Sequence, residues 1–282
     1  MNPIKIGVVS RSFPTLTHRE IAQNMKDAGA VSTELCLLSA DTNFWVYNGR
    51  SDMSALSDEA FSDIVKTYRD AGIEVPALGV FTNLITPDEE ELRANLDFYE
   101  NHMRLASQNH IPYVSTECGF TPHERGVNTD RYESDFDRLV QSLKDLCARA
   151  EKYNVRVALE TCVIDVVPSA KRAADLYGQV GSDRLKFLLD PANLIANSSE
   201  EDMFKYLAPH IAYFHGKDRK VNDVFGRCVG DGDIDWPLFL RLYHEKCEGK
   251  PFILEYVNLD NFREIMERVK KYDLEARKAV AE

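Results

Sequence analysis

Four short apolar runs between Val155 and Asn258 decide the fold, because each ends at or near a residue that can bind a metal ion. They read RVALETC (156–162), LKFLLDPAN (185–193), IAYFHGKD (211–218) and PFILEYV (251–257). Each run is rich in Val, Ile, Leu or Phe, has about the length of a buried strand and is bounded by Gly, Pro, Asn or Asp. These features favour parallel sheet over helix. The candidate metal ligands are Glu160, Asp190, His215 and Glu255.

These candidates share a position at the C-terminal end of a strand. In a parallel barrel those ends meet on one face, where sites are built from side chains of several strands. Carboxylates collected there repel one another unless a cation joins them, so the pattern predicts one divalent metal ion. Mn²⁺ is expected, with Mg²⁺, Co²⁺ or Zn²⁺ as alternatives. A competing interpretation makes these residues solvated groups or helix caps, with Asp190 capping a turn that starts at Pro191. Four such residues in four successive units favour the metal.

The same strand and helix pattern repeats along the whole chain. Strands are predicted at 4–10, 32–38, 74–80, 112–118, 156–161, 186–190, 211–215 and 251–256. Helix-like segments separate them, including one with Thr17 as N-cap and Glu20 completing a capping box, and one capped by Ser57. Eight such units at roughly 35-residue intervals predict an α/β fold, a (β/α)8 TIM barrel. Because no linker or composition shift divides them, a single domain spanning residues 1–282 is expected.

Strand alternation adds a prediction about the barrel interior. Residues two apart on a strand face the same way, so each candidate ligand has an inward-facing partner one layer below it. The expected pairs are Ala158 with Glu160, Leu188 with Asp190, Tyr213 with His215, and Ile253 with Glu255. This pattern is typical of an apolar barrel floor with a polar site above it.

Composition narrows the class of protein. The formal net charge of -12 argues against nucleic acid as a partner, because such binding needs Lys and Arg concentrated on one face. No apolar run approaches the roughly 18 residues that a membrane span needs. The N-terminus, MNPIKIGVVSRSF, enters a strand-like run without the apolar segment of a secretory signal, so a cytoplasmic location without membrane contact is expected. Six cysteines without CxxC spacing are expected to be reduced thiols.

The motifs FLLDPAN, YFHGKD with a later GDGDIDW, and ILEY resemble the sugar phosphate isomerase/epimerase family, the xylose isomerase-like barrels that include ketose 3-epimerases. The resemblance covers nearly the whole chain. In that family, four strand-end residues of the types Glu, Asp, His and Glu bind one divalent metal, and they match Glu160, Asp190, His215 and Glu255. The resemblance implies that Glu160 and Glu255 also exchange protons with the substrate. A metal-dependent isomerase or epimerase of a ketose, a ketose phosphate or a related polyol-derived substrate is therefore expected.

The chemistry fits these residue types. Moving a proton at a carbon next to a carbonyl group produces an enediolate, whose charge a metal ion can stabilise. Two carboxylates on opposite sides of the substrate can remove a proton from one face and return one to the other, which is epimerisation, whereas a base on one face gives isomerisation. Alternatively, both glutamates only bind the metal and another residue moves the proton. Glu34, Glu117 or His123 would then be the candidates.

Candidates for substrate binding lie in the loops after the strands. Asn193 stands where several ketose epimerases have His, which weakens the assignment of a free ketohexose. Lys217 and Arg227 could hold a phosphate or carboxylate group, unless this basic loop is only solvated. Aromatic residues follow the early strands, and their rings could pack on a sugar: Phe13, Trp45, Phe81 and Phe120. Glu117 could line the site. Two acidic residues have other expected roles: Asp218 beside the metal ligands, and Asp235 as the N-cap of a helix.

Three other functions compete with the isomerase or epimerase. Dehydratases of the inosose and dehydroshikimate type use the same constellation for β-elimination, and product analysis separates them. Endonuclease IV-like repair enzymes share the barrel but need further His ligands, and the acidic charge does not favour them. A barrel that binds sugar without turnover is the non-enzymatic alternative. The sequence leaves the substrate, the metal and homo-oligomer formation open.

Overall fold

The structure is a computed structural model of the chain, and it describes residues 1–121, 124–126 and 128–281. Within that part, eight strands alternate with eight α-helices. The strands are β1 (Ile6–Val8), β2 (Ser32–Leu35), β3 (Glu74–Gly79), β4 (Tyr113–Glu117), β5 (Arg156–Glu160), β6 (Leu185–Leu189), β7 (Ile211–Gly216) and β8 (Phe252–Leu254). The helices are α1 (His18–Asp27), α2 (Asp58–Asp70), α3 (Glu89–Gln108), α4 (Tyr132–Tyr153), α5 (Ala170–Val180), α6 (Glu200–Leu207), α7 (Trp236–Cys247) and α8 (Phe262–Ala281).

The strands form one parallel sheet in the order β1-β8-β7-β6-β5-β4-β3-β2. The seam between β1 and β2 is bridged by the Val31 amide, which donates to the Ile6 carbonyl at 3.0 Å, and by the Thr33 hydroxyl, which donates to the Val8 carbonyl at 2.7 Å. Gly7 allows this close approach, since a Cβ there would lie 2.4 Å from the Ser32 carbonyl oxygen. The nearly closed sheet with its outer helices confirms the predicted (β/α)8 TIM barrel.

Local signals in the sequence fix where the helices begin. Thr17 accepts from the Glu20 amide, and the Glu20 carboxylate accepts from the Thr17 amide, so the predicted capping box is present. Ser57 caps α2 by accepting from the Ala60 amide at 3.1 Å. The observed strands agree with the predicted ones to within a few residues. The largest difference is at β1, which is three residues long where seven were expected.

The apolar core has two parts, one between the strands and the helices and one inside the barrel. The four residues predicted to lie below the candidate ligands, Ala158, Leu188, Tyr213 and Ile253, all belong to the inner part. This arrangement confirms the predicted apolar floor. Five of the six free cysteines are buried, as expected for thiols that act as small apolar groups. Among the described helices, none has both the length and the apolar character that a bilayer crossing requires.

Candidate metal centre and active site

The four candidate ligands meet above the barrel floor. One potential ligand atom from each residue lies within 4.8 Å of the others, and all four residues are buried. Glu160 ends β5, Asp190 follows β6, His215 lies in β7, and Glu255 follows β8. The parallel order of these strands places their C-terminal ends on one face, so the convergence follows from the fold.

The orientation of His215 favours a metal ligand. Its Nε2 lies 2.7 Å from Glu34 Oε2, whereas its Nδ1 faces the cluster, 3.5 Å from Glu160 Oε1 and 3.8 Å from Glu255 Oε2. This Nδ1 is buried and makes no hydrogen bond. A buried ring nitrogen without a partner beside several carboxylates fits a divalent cation, with Glu34 orienting the ring from behind.

Glu34 is a buried carboxylate at the end of β2. Besides His215, it accepts hydrogen bonds from the Tyr213 hydroxyl at 2.8 Å and the Ser115 hydroxyl at 3.2 Å. Burial raises the pKa of Glu34, but His215, Arg11 and the Tyr213 hydroxyl together outweigh burial and the net pKa is lowered. Burial likewise lowers the pKa of His215, while Glu34 and Glu160 raise it well above its usual range. In the absence of a metal ion, the two groups therefore form a charged pair.

Asp190 was predicted as a metal ligand or as a cap, and it caps a turn with one oxygen while the other oxygen faces the cluster. Its Oδ1 accepts from the Ala192 amide at 2.9 Å and caps the short 3-10 turn Pro191–Asn193. Its Oδ2 lies 2.7 Å from Lys217 Nζ. Burial raises the pKa of Asp190, and the neighbouring Lys217 acts in the opposite direction. Since one oxygen serves as the cap, the second remains available to the cluster.

Glu255 is held by two cations. Lys217 Nζ donates to Glu255 Oε2 at 3.0 Å, and the Arg11 guanidinium donates to Oε1. Burial raises the pKa of Glu255, but Lys217, Arg11 and His215 together outweigh burial and the net pKa falls far below its usual range. Arg11 also lies over the ring of Trp45, at 5.3 Å from the centroid. Sequence reasoning missed Arg11, although its place directly after β1 was the available signal.

Glu160 has a different environment, because its partner is a neutral amide. Asn193 Nδ2 donates to Glu160 Oε1 at 2.8 Å, and Arg219 Nη2 donates to Asn193 Oδ1 at 3.2 Å. Arg219 is buried, yet its Nε and Nη1 make no hydrogen bond. The buried Asp165 Oδ2 is also without a partner. Arg219 belongs to the basic loop after β7 that was predicted to hold an anionic group. Asp165 was not predicted, since it lies in an irregular loop whose path local patterns do not define.

Glu117 lies at the end of β4, paired in register with Glu160 of β5. It accepts from the Tyr47 hydroxyl at 2.6 Å and from Arg125 Nη2 at 2.9 Å. Burial and the nearby Asp165 raise the pKa of Glu117. These contacts join the loop after β2 to the loop after β4 and form one wall beside the cluster. Glu117 and Trp45 are thus near the site, and their roles in substrate binding stay predictions.

Other predicted residues lie elsewhere. Arg227 pairs with Asp223 inside the loop between β7 and α7, and its contacts include none of the four ligands. Asp218 organises that loop by accepting from the Arg219, Gly230 and Ile234 amides and the Trp236 indole. Asp235 caps α7 as expected. Phe13 is buried in the outer core, Phe81 belongs to the inner part, and Phe120 lies under Arg125. His123 lies outside the described residues.

A separate groove of about 540 Å³ lies on the outside of the barrel between α3 and α4. Polar surface residues such as Ser134, Gln141 and Arg149 line it. It lacks the buried carboxylates, the imidazole and the unpaired polar atoms of the strand-end cluster. The cluster is therefore the stronger candidate for chemistry.

Comparison with known proteins agrees with this fold. The family model described as xylose isomerase-like TIM barrel matches residues 22–272. None of the curated proteins matches the sequence. A solved structure of D-psicose 3-epimerase with D-tagatose, from Clostridium cellulolyticum H10, is 16% identical and has a TM-score of 0.72, with 99% of this chain and 97% of that chain covered.

Two further solved structures are similar in fold. The IOLI protein, with a bound zinc atom, is 17% identical with a TM-score of 0.73, and 98% of each chain is covered. The probable 3-DHS dehydratase AsbF from Bacillus anthracis is 16% identical with a TM-score of 0.75, covering 95% of this chain and 98% of that chain. At these identities the likeness establishes the shared fold.

Proposed function

This chain belongs to the xylose isomerase-like TIM barrel family, and we propose that it is a divalent-metal-dependent isomerase or epimerase. Its substrate would be a ketose, a ketose phosphate or a related polyol-derived compound. The observation that supports this proposal most strongly is the unpartnered Nδ1 of His215, buried among three carboxylates. Such a donor set suits Mn²⁺, Mg²⁺, Co²⁺ or Zn²⁺, with Mn²⁺ as our first expectation.

The residues that would hold the ion are Glu160, Asp190, His215 and Glu255. When bound, the ion would supply positive charge that stabilises an enediolate. Asp190 would bind the ion through Oδ2, the oxygen that does not cap the turn and that Lys217 now contacts. A cation at this position would take over part of the charge compensation that Lys217 now provides, which would leave the ammonium group free to donate to a substrate oxygen.

Glu160 and Glu255 would move the protons. Glu160 is the last residue of β5, and Glu255 follows β8. Two strands, β6 and β7, lie between them in the sheet, so the two carboxylates approach the cluster from different sides. One carboxylate would take the proton from the carbon next to the carbonyl group. The other, in its protonated form, would return a proton to the opposite face of that carbon, which inverts it. If only one of them reaches the substrate, the same proton would return to the neighbouring carbon and the product would be an isomer.

Polar atoms without partners suggest where the substrate hydroxyl groups bind. Arg219 offers two unpaired nitrogens, Nε and Nη1, and Asp165 offers one unpaired oxygen, all in buried positions near Glu160 and Asn193. On the opposite side, the Trp45 indole N–H is also buried without a partner. These groups would orient the sugar and exclude water, while the rings of Trp45 and Phe81 form an apolar wall.

The test is product analysis with the metal-loaded protein. A panel of ketoses, ketose phosphates, an inosose and 3-dehydroshikimate would be incubated and the products identified by NMR spectroscopy. Epimers or isomers of a panel member are the expected products. A dehydrated product would instead assign the chain to dehydratase chemistry, the activity for which AsbF is named. Absence of turnover with all four metals would contradict the proposed enzyme.

A further inference from the structure

The residue after Glu255 has an unusual backbone. Tyr256 has a φ of 56°, in the left-handed region. The other described residues with positive φ, apart from glycines, are Asn48, His110 and Asn154, which are residue types that tolerate this region. A bulky ring at such a position is strained, and strain persists only where the surroundings determine the conformation.

Two contacts from the loop between β7 and α7 hold Tyr256 in place. Cys228 Sγ donates to the Tyr256 carbonyl oxygen at 3.1 Å. Gly226 lies directly against the ring, since a Cβ on Gly226 would be only 2.4 Å from Tyr256 Cε1 and Cζ. The Tyr256 ring therefore packs on the loop where Gly226 has no side chain. Residues of this loop, and not of the metal cluster, fix the orientation of the ring.

The fixed ring lies at the mouth of the candidate site. Its centroid is 5.0 Å from Lys217 Nζ, which in turn contacts Asp190 and Glu255. The residue is nevertheless 52% exposed. The ring thus borders the cluster through Lys217 and leaves much of its surface open to a ligand. Core packing does not explain why the strained backbone of Tyr256 persists, because the ring remains half exposed.

We propose that Tyr256 is a substrate-contacting residue whose ring packs on the C–H face of the carbohydrate, beyond the carbons that react, on the side of Glu255. This inference rests on the proposed function. Rings with one open side bury the apolar face of a sugar, and a hydroxyl group at the rim can also bond to a sugar oxygen. Tyr256 would then set which carbohydrates fit at the end remote from the metal.

The test compares steady-state constants and ligand affinity in matched variants. Tyr256→Ala is expected to raise KM for the best ketose of the panel, and Kd for D-fructose measured by calorimetry, by roughly 3- to 10-fold. The kcat should change little, because the ring contacts no reacting atom. Tyr256→Phe should keep most of the affinity. Tyr206→Ala is the matched control, since Tyr206 on α6 also lies 5.0 Å from a lysine, Lys205.

A stability measurement separates a binding role from a structural one. At positions with negative φ, a protein with Gly is less stable than the same protein with Ala. At positions with positive φ, the protein with Gly is the more stable one. Tyr256→Gly should therefore melt at a higher temperature than Tyr256→Ala, while both raise Kd alike. If the two variants bound D-fructose and turned over the ketose as the wild-type protein does, Tyr256 would be structural and the inference wrong. If the wild-type protein bound and converted no panel member, the proposed function would fail and this inference with it.

Discussion

Glu160 and Glu255 are chemically alike but lie in different surroundings. Glu160 accepts from the neutral Asn193 amide, whereas Glu255 is held between Lys217 and Arg11. Fixed partners orient both carboxylates, which is what a proton-transfer pair requires. The proposed roles of the two residues can therefore be tested one at a time.

Replacing either glutamate by Gln should leave an oxygen ligand but remove the base. We expect Glu160→Gln and Glu255→Gln to lower kcat by roughly 10²- to 10⁴-fold while each variant keeps most of its bound metal. Stopped assays with metal analysis of the same samples would measure both quantities. If Glu255→Gln stayed active and Glu160→Gln did not, the enzyme would be a one-base isomerase. Near-normal turnover in both variants would move the proton transfer to Glu34 or Glu117.

Glu34 contacts the cluster only through His215, so its expected role is positioning. Glu34→Gln keeps the shape of the side chain but replaces an anionic hydrogen-bond acceptor with a neutral one. The hydrogen bond from His215 Nε2–H becomes weaker, and the tautomer and orientation of the ring are less firmly fixed. We predict a roughly 10- to 100-fold loss of metal affinity, because mutating residues that hydrogen-bond to metal-binding histidines typically causes a loss of this size. Calorimetric titration of Mn²⁺ into the variant would measure it. Unchanged affinity would show that Glu34 only fills the barrel interior.

At the scale of elements, the seam between β1 and β2 determines whether the barrel closes. Gly7→Ala would place a Cβ 2.4 Å from both the carbonyl and hydroxyl oxygens of Ser32. The crowding should cost about 1–3 kcal/mol of unfolding free energy. Gly178→Ala in α5 is the control, because a Cβ there meets nothing within 4 Å and should stabilise the helix by about 0.5–1 kcal/mol. Urea denaturation followed by circular dichroism would compare them; equal stability of the two variants would contradict this account of the seam.

The elements were predictable because their signals are local. Capping residues such as Thr17 and Ser57 mark the helix starts, and the apolar runs mark the buried strands. The same locality limits what the sequence predicts about the site. Asp190 was predicted as a ligand or a cap; one of its oxygens caps a turn and the other contacts Lys217 in the cluster. Arg11 and Asp165 were missed, because their partners are distant in sequence and lie on other strands and loops.

Loops were the least predictable part for the same reason. Arg227 was predicted to hold an anionic group of the substrate; it pairs with Asp223 inside its own loop, and its binding role stays a prediction. Asp218 was predicted beside the metal ligands; the four hydrogen bonds that it accepts shape the loop, a role that the sequence did not indicate. A charged residue in a long connection has several possible partners, and only the folded path of the chain selects one. A single domain over residues 1–282 stays a prediction.

For the whole molecule, a buried histidine predicts a loss of stability in acid. His102 on α3 donates from Nδ1 to the Phe98 carbonyl at 2.9 Å, and burial lowers its pKa from 6.5 to about 4. The unfolded chain therefore binds a proton below pH 6.5 before the folded chain does, so stability falls from pH 6.5 to about 4. The two pKa values correspond to a loss of about 3 kcal/mol.

His102→Asn should remove this dependence, because Asn does not titrate. Urea unfolding at several pH values between 6.5 and 4 would compare the variant with the wild-type protein, and each difference is taken relative to pH 7 to cancel the constant effect of the substitution. The wild-type protein should lose more stability on acidification than the variant. Parallel losses in both proteins would assign the acid sensitivity to other groups.

The central claim is that the cluster binds one divalent ion and that the chain moves a proton next to a carbonyl group. The most direct test is to incubate the Mn²⁺-loaded protein in D₂O with the ketose and ketose phosphate panel and to look for deuterium at those carbons by NMR. We predict incorporation by the wild-type protein and none by Asp190→Ala, which should also lose the metal. Asp235→Ala, at the N-cap of the outer helix α7, should behave as the wild-type protein does. Metal-independent incorporation, or none into any panel member by the loaded wild-type protein, would contradict the claim.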